Sequence, residues 1–528
     1  MAGVAGRGTV IAESPASAEV RYGMPLPRWL ELCRRKLLPF FKHVFTGDLK
    51  IFPETRLIAE ALEEFLAGVQ AGKRMRLIII EPPRSGKSEL TTRTFLPWVL
   101  GQEPDWHVGV VSYGDDLAWE MSSEARSILM DEPYAEVFGP TYGGDGTQVV
   151  EIDPLTKAVK HWKIKGRRGG MRAAGINGSL TGKGYKIVIF DDPTKGRKEA
   201  DSLDYRNMQW AQYDGTFKPR LEPEGNGIVL MGTAWHIADI LSRMQAENDA
   251  NIDNPLYDHW RVIHVPAQAL PGRADPLGRE PGQWMGGRRT VEEWEALKAN
   301  TDPREWAAQY QGLPMPEEGG IFHPYEEFLF GDPPDDDYRG PRYGFSDNSH
   351  AKTRSSDHSA ILVCQVEPDQ TVMEDGVPKR YHTLGILDVY RKRAQYPELK
   401  RDAKRMYDEW KLWALVIEDY SAGRALAQEF KRDSKMTIRT YRPDRDKTAR
   451  ANAAKGTFTH WKVRCPKTET FPSGLPVRVF LDELNNFMPD TQNQSDDMVD
   501  VFTTALILIA VKNQSANRQI VTREFAFA

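Results

Sequence analysis

Cysteine is scarce in this 528-residue chain: there are three, Cys33, Cys364 and Cys465, far apart and without paired spacing. That spacing excludes a disulfide framework and a metal centre built on paired thiolates, and it fits a reducing compartment. Surplus positive charge is also missing. Seventy Lys and Arg against 75 Asp and Glu leave a formal net charge of -5, so contact with nucleic acid has to come from local clusters. No apolar run is long enough to cross a bilayer; the longest, Val501 to Val511 (VFTTALILIAV), reads as a buried helix. The opening MAGVAGRGTVIAESPASAE lacks the apolar stretch of a secretory signal, and residues 1–25 are expected to form a disordered lead. A hydrophobic content of 40% supports globular folding, and the length calls for two or three domains.

What is present centres on Leu77 to Ser88, LIIIEPPRSGKS: an apolar strand running into a Gly-Lys-Ser turn. Such a turn wraps backbone N–H groups around a polyphosphate at a helix N-terminus. Lys87 would reach the outer phosphates and the Ser88 hydroxyl a Mg²⁺ ion, with Pro83, Arg84, Ser85 and Gly86 forming the cradle. The usual first glycine is absent, because Glu81 stands five residues before Gly86.

Helical spacing covers Leu26 to Gln70, and further apolar strands are expected at His107–Ser112, Lys186–Phe190 and Gly227–Gly232, with a helix at Asp115–Met130. Alternating strands and helices around a phosphate loop predict a mostly parallel sheet covered by helices. The strand Lys186–Phe190 ends in Asp191-Asp192-Pro193. Carboxylates delivered to the edge that carries the loop are what the Mg²⁺ of an ATPase requires: Asp191 for the metal, Asp192 or Glu199 to position water. Taken alone, the triplet also reads as a turn. Thr233 ends the next strand, where a hydroxyl could sense the γ-phosphate. Between the second and third strands, Lys163 to Arg172 (KIKGRRGGMR) places five basic residues among glycines, suited either to phosphate contact or to a solvated loop.

PPRSGKSE, IFDDP followed by RKEADS, and GTAWHIADIL together resemble the ATPase half of tailed-bacteriophage terminase large subunits, the motors that pump DNA into a procapsid. In that family a proline-rich loop without the first glycine is common. The resemblance implies a loop arginine at Arg84 and a second arginine acting across subunits, for which Arg172 is the match offered.

From Asp253 to Pro341 proline becomes frequent and GDPPDDDYRG follows; residues 256–340 read as a linker region, with one helical island at Val291–Gln311. This divides the chain into an ATPase domain at 26–255 and a second domain at 341–528. In the second, carboxylates end elements three times. Asp347 closes the strand opened by RYGF, Glu418 closes ALVI, and Asp496-Asp497 opens the last apolar helix; Asp357 and Asp500 are secondary candidates. Acids so gathered can hold two divalent ions that activate water against a phosphodiester, although carboxylates also cap helices and end strands routinely. A basic stretch, Lys431 to Arg450, carries eight Lys or Arg against three acids and would hold a phosphate backbone.

The order and context of Asp347, Glu418 and DDMVD are similar to the RNase H-like nuclease that follows the ATPase in terminase large subunits; the family often has histidine before the acid pair, where this chain has Ser495. The resemblance implies an α/β fold throughout: an N-terminal P-loop ATPase with a mostly parallel sheet and a C-terminal RNase H-like nuclease. It implies ATP with Mg²⁺ at the first site, Mg²⁺ or Mn²⁺ at the second, and double-stranded DNA as substrate. A portal protein, a terminase small subunit and a ring of copies are the implied partners, in the host cell cytoplasm and transiently on the procapsid portal. The alternatives are a helicase- or repair-type P-loop ATPase with an attached nuclease, and a non-enzymatic nucleotide-binding assembly protein.

Overall fold

The computed structural model describes residues 20–45, 49–139, 150–178, 180, 184–316, 320–334, 338, 340–348, 358–374, 376–443, 446–487 and 496–511. The chain divides into two compact units. The first comprises residues up to Thr233 with Ala238–His264 and Gly286–Arg288, and the second comprises Ala234–Ile237, Val265–Met285 and Arg289 onward.

Of the lead, residues 1–19 lie outside the described residues. Val20–Arg21 (β1) and Met24–Pro25 (β2) form a small antiparallel ladder, and Arg21 pairs with Glu136 at 2.9 Å. The sheet of the first unit contains Arg74–Ile80 (β3), His107–Ser112 (β4), Ile152–Ala158 (β5), His161–Ile164 (β6), Gly170–Gly175 (β7), Ile187–Asp191 (β8), Asn226–Gly232 (β9) and Arg261–His264 (β10), in the order β10-β3-β9-β8-β4-β7-β6-β5. The six strands from β10 to β7 run parallel, and β6 and β5 continue the sheet antiparallel. Leu77, Ile78, Val110, Ile187, Val188, Val229 and Leu230 are buried, as strands covered on both faces demand. One face takes the helix Pro53–Gln70, which packs on β3 and β9; there Gly227 leaves the room that the Phe65 ring fills. On another cluster Phe190 meets Tyr213 and Phe217, alongside Leu241 and Met244.

The helix Asp115–Met130 forms as expected. The basic stretch Lys163–Arg172 differs from its reading as a loop, because its two ends belong to β6 and β7. Gly166 turns the chain at φ +69°, and the other two glycines serve packing. A Cβ at Gly169 would stand 2.3 Å from the Pro104 carbonyl oxygen, and one at Gly170 2.2 Å from that of Trp162.

The sheet of the second unit contains Leu329–Phe330 (β11), Arg342–Asp347 (β12), Ser359–Glu374 (β13), Val377–Lys392 (β14), Ala414–Glu418 (β15), Ile438–Tyr441 (β16) and Trp461–Cys465 (β17), in the order β11-β17-β14-β13-β12-β15-β16. β12, β13 and β14 are antiparallel neighbours, β15 and β16 join β12 in parallel, and β17 runs parallel to β14. The apolar helix Asp497–Leu506 packs across β12 and β13, with Phe502 against Phe322, Phe328 and Phe480.

Within the proline-rich stretch, β10 joins the first sheet, whereas Val265–Met285 and the residues from Arg289 group with the second unit. Trp284, Trp294, Trp306 and Tyr310 stack there, and Arg273 reaches Asp482 and Tyr325. All three cysteines are buried and unpaired. No helix among the described residues is long and apolar enough to cross a membrane.

Buried Glu367 on β13 accepts from Arg464 Nε on β17 at 2.9 and 2.8 Å, and Arg464 Nη1 donates to the Gly331 carbonyl. Removing one partner strands the other charge away from water. Arg464→Met is expected to cost about 3–5 kcal/mol in urea unfolding, and the double variant with Glu367→Met to recover most of it.

Candidate functional sites

In the first unit, register explains why the acids meet the loop. Ile80 of β3 lies opposite Gly232 of β9, and Asp191 of β8 opposite Met231. The loop after β3, the acids after β8 and Thr233 after β9 therefore share one sheet edge, where ligands of parallel α/β sheets bind.

Gly86 has φ +83°, the left-handed conformation that glycine enters without strain, and exposed Arg84 adopts φ +62° despite its side chain. Pro83 is half-buried; Ser85 is buried and its Oγ has no hydrogen-bond partner. Behind the loop a π-helical turn at Glu89–Thr94 leads into the helix Phe95–Gln102. Ser88 Oγ donates to Asp191 Oδ1 at 2.9 Å, and Thr92 Oγ1 donates to Asp191 Oδ2 at 2.6 Å. Lys87 Nζ stands 3.8 Å from Asp192 Oδ1.

Asp191 has no exposure to water. Burial first, and the neighbouring Asp192 charge second, push its pKa up to about 7, against the two hydroxyls and Lys87. A hydroxyl and a carboxylate in contact, beside a lysine and an unpartnered serine hydroxyl, are the donor set that nucleotide phosphates with Mg²⁺ require. Asp192 adopts φ +44°; its N–H bonds the Met231 carbonyl and its own carbonyl accepts from the Tyr113 N–H. Thr233 is buried at the end of β9. Glu199 lies on the helix Arg197–Asp201 and helps, after burial, to push the Tyr205 hydroxyl up to about 12. Arg172 sits on β7 and faces the Tyr185 hydroxyl. Thr92 went unnoticed in the sequence, although four residues after Ser88 places it on the same helical face.

In the second unit, Ser346 of β12 lies opposite Ile417 of β15, which sets Asp347 and Glu418 side by side. They line one small pocket with Ser346, Tyr441, Asp500 and Thr504. The third acid of this pocket is Asp500, which the sequence reading ranked behind Asp497. The helix start explains it: Asp496 and Asp500 are one turn apart, while Asp497 faces Arg391 Nε at 3.8 Å and His358 Nδ1 at 3.9 Å. Glu483 fixes that start by accepting from the Met498 and Val499 N–H groups at 2.7 and 3.3 Å.

Burial, then Glu418, Asp500 and Asp497, drives the Asp347 pKa well above the usual carboxylate range; burial also raises Glu418 and Asp500. Crowded oxygen donors of one sign suit a hard divalent cation. Among the described residues, no three His, Cys, Asp or Glu are close enough as they stand to enclose one. Lys447 Nζ bonds Asp496 at 2.6 Å and lies 2.9 Å from Asp500, and buried Arg450 donates to Asp500 at 2.6 Å. Two cations of the basic stretch Lys431–Arg450 thus face the acids. Asp357 and Ser495 lie outside the described residues.

Two family models match the sequence. The model for the terminase large subunit, T4likevirus-type, N-terminal, covers residues 78–217, and the model for the terminase RNaseH-like domain covers 350–508. The chain belongs to the terminase large subunits. Terminase relatives of known structure align along it with low similarity. The large terminase of bacteriophage HK97 is 12% identical with a TM-score of 0.36, covering 91% of this chain and 99% of its own. The terminase nuclease of thermophilic phage G20c is 15% identical with a TM-score of 0.21, covering 34% and 83%. The Phi-28 gp11 DNA packaging motor is 9% identical with a TM-score of 0.26, covering 67% and 93%. No curated protein matches the sequence.

The hydrogen bond from Thr92 orients the terminase's buried Asp191. Thr92→Val keeps the shape and removes the donor, and a lost bond to a charged group lowers turnover by about tenfold or more. Titrating ATPase rate against Mg²⁺ checks this; a rate within about twofold of wild type would show that the bond does not position Asp191.

Proposed function

We propose that this terminase large subunit hydrolyses ATP at the loop Pro83–Ser88 to translocate double-stranded DNA, and cuts concatemeric DNA with a metal-dependent endonuclease in its second unit. The observation that carries the reading is the direct bond from Ser88 to Asp191, which joins phosphate loop and metal carboxylate at one sheet edge beside Lys87.

In the ATP site, Lys87 and the loop amides hold the phosphates, Ser88 and Asp191 hold Mg²⁺, and Arg84 offers its guanidinium from an exposed position. Asp192, 3.8 Å from Lys87 Nζ, positions the attacking water, with Glu199 as the substitute. Thr233, at the end of the strand beside β3, reports the γ-phosphate to the chain that follows. In the nuclease, Asp347, Glu418 and Asp500 hold Mg²⁺ or Mn²⁺, with Asp496 and Asp497 at the rim. Divalent cations bound there would supply activation of water and stabilisation of the leaving oxygen. Opposite the acids, Lys447 and Arg450 balance the pocket's charge.

The domain limits we assign are an ATPase at 26–255, a connecting region at 256–340 and a nuclease at 341–528. The motor works as a ring docked on a portal protein, in the host cytoplasm, with a small subunit that selects the DNA. Arg172 is our choice for an arginine acting across subunits.

The test separates the two activities in the full chain. Lys87→Ala is expected to lower ATP turnover by about a hundredfold or more while plasmid cleavage in Mn²⁺ persists. Asp347→Ala and Asp500→Asn are expected to abolish cleavage, as a chelator should, and to spare ATP turnover. Cleavage that survives both substitutions would remove the nuclease assignment.

A further inference from the structure

We propose that Arg288 is a phosphate-contacting residue of the ATP site, held over the loop by the buried carboxylate of Glu54. This rests on the reading of Pro83–Ser88 as the nucleotide site. Arg288 lies outside every motif of that reading, 234 residues from Glu54 in sequence.

Its guanidinium sits on the loop: Nη2 comes within 3.3 Å, and Nη1 within 3.9 Å, of where a Cβ on Gly86 would stand. Three contacts fix it there. Nε donates to Glu54 Oε1 at 2.9 Å, the guanidinium lies 4.3 Å from the Phe52 ring centroid, and Gly287, at φ +89°, brings the backbone close to that ring. Glu54 opens the helix Pro53–Gln70 with its side chain 1% exposed. Among the described residues Nε is the nitrogen with a hydrogen-bond partner, so both Nη groups keep their donors. A planar fork anchored through Nε with its Nη edge directed at a glycine loop has the shape that binds phosphate oxygens in pairs.

A second observation points to a ligand. Glu54 Oε2 is buried without a hydrogen-bond partner, and the buried Glu81 carboxylate has only the Ser85 hydroxyl beside it, with no hydrogen bond of good geometry between them. Glu81 lies among Ser85, Glu54, Lys87 and Arg288, and burial pushes its pKa up to about 7. So much unsatisfied polarity beneath one loop is costly to a fold unless a ligand or its counter-charges balance it. Glu81 holds the position where the usual loop has glycine, and with Glu54 it places two acids beneath the cations Lys87 and Arg288. A polyphosphate bound above would face both cations, each backed by a carboxylate.

The experiment uses the full chain and measures steady-state ATP turnover together with affinities for ATP and ADP, in Arg288→Ala, Arg288→Lys and Glu54→Gln, with Lys87→Ala as control. Arg288→Ala is expected to raise KM for ATP by about tenfold to a hundredfold and to weaken ATP more than ADP. Arg288→Lys should recover part of the loss, and Glu54→Gln should fall between wild type and Arg288→Ala. Should Arg288→Ala not fold, the other two variants decide by the same readouts. ATP affinity and KM within about twofold of wild type, where Lys87→Ala abolishes turnover, overturn the inference; so does a lowered melting temperature with unchanged KM, which marks a brace. Turnover that survives Lys87→Ala overturns the underlying ATPase reading instead.

Discussion

A carboxylate with no access to water has to be held, and Asp191 is held by two hydroxyls from the helix that starts at the phosphate loop. Most of the first unit's architecture follows from that requirement. The helix can supply Ser88 and Thr92 only if β3 and β8 end level with one another, and β9 between them keeps that level through matched ladders on both sides. Shifting either ladder by one residue would carry Asp191 to the opposite face of the sheet. The packing of Phe65 into the space over Gly227, and of Phe190 against Tyr213 and Phe217, serves the same end by leaving those strands no alternative position.

The second unit solves a different problem with the same device. Parallel pairing of β12 and β15 brings Asp347 beside Glu418, and a helix N-terminus adds the rest of the acids. Burial first, and for Asp347 the neighbouring carboxylates second, raise the pKa of Asp347, Glu418 and Asp500, and the fold answers with Arg450 and Lys447 from a single helix, Lys447–Gly456. The partially positive start of the last helix adds a further favourable field for the acids around it.

Apolar runs bounded by turns were enough to place β3, β4, β8, β9 and β15 and the acids at their ends, because buried parallel strands write themselves as unbroken hydrophobic stretches. The strands β7, β6 and β5, at one end of the sheet, left no such trace. β5 exposes most of its side chains, β6 alternates buried with half-buried ones, and β7 is buried but built of small residues, with Gly169 and Gly170 used for close backbone packing, so KIKGRRGGMR reads as a phosphate loop when only composition is visible. That Asp500 rather than Asp497 lines the pocket with Asp347 and Glu418 was likewise hidden. Both fit the helical spacing, and what separates them is the direction in which Glu483, Arg391 and His358 hold the first turn. Arg450 and Lys447 looked like part of a surface stripe for DNA because sequence shows the sign of a charge but not its counter-charge.

Two of the four non-glycine residues with positive φ among those described, Arg84 and Asp192, flank the same phosphate site. Left-handed backbone at such residues costs about 1–3 kcal/mol each and persists where surrounding structure over-determines it. The packing around these two residues therefore meets that cost. Glycine at position 84 or 192 would relieve that strain and leave the loop's shape less fully determined.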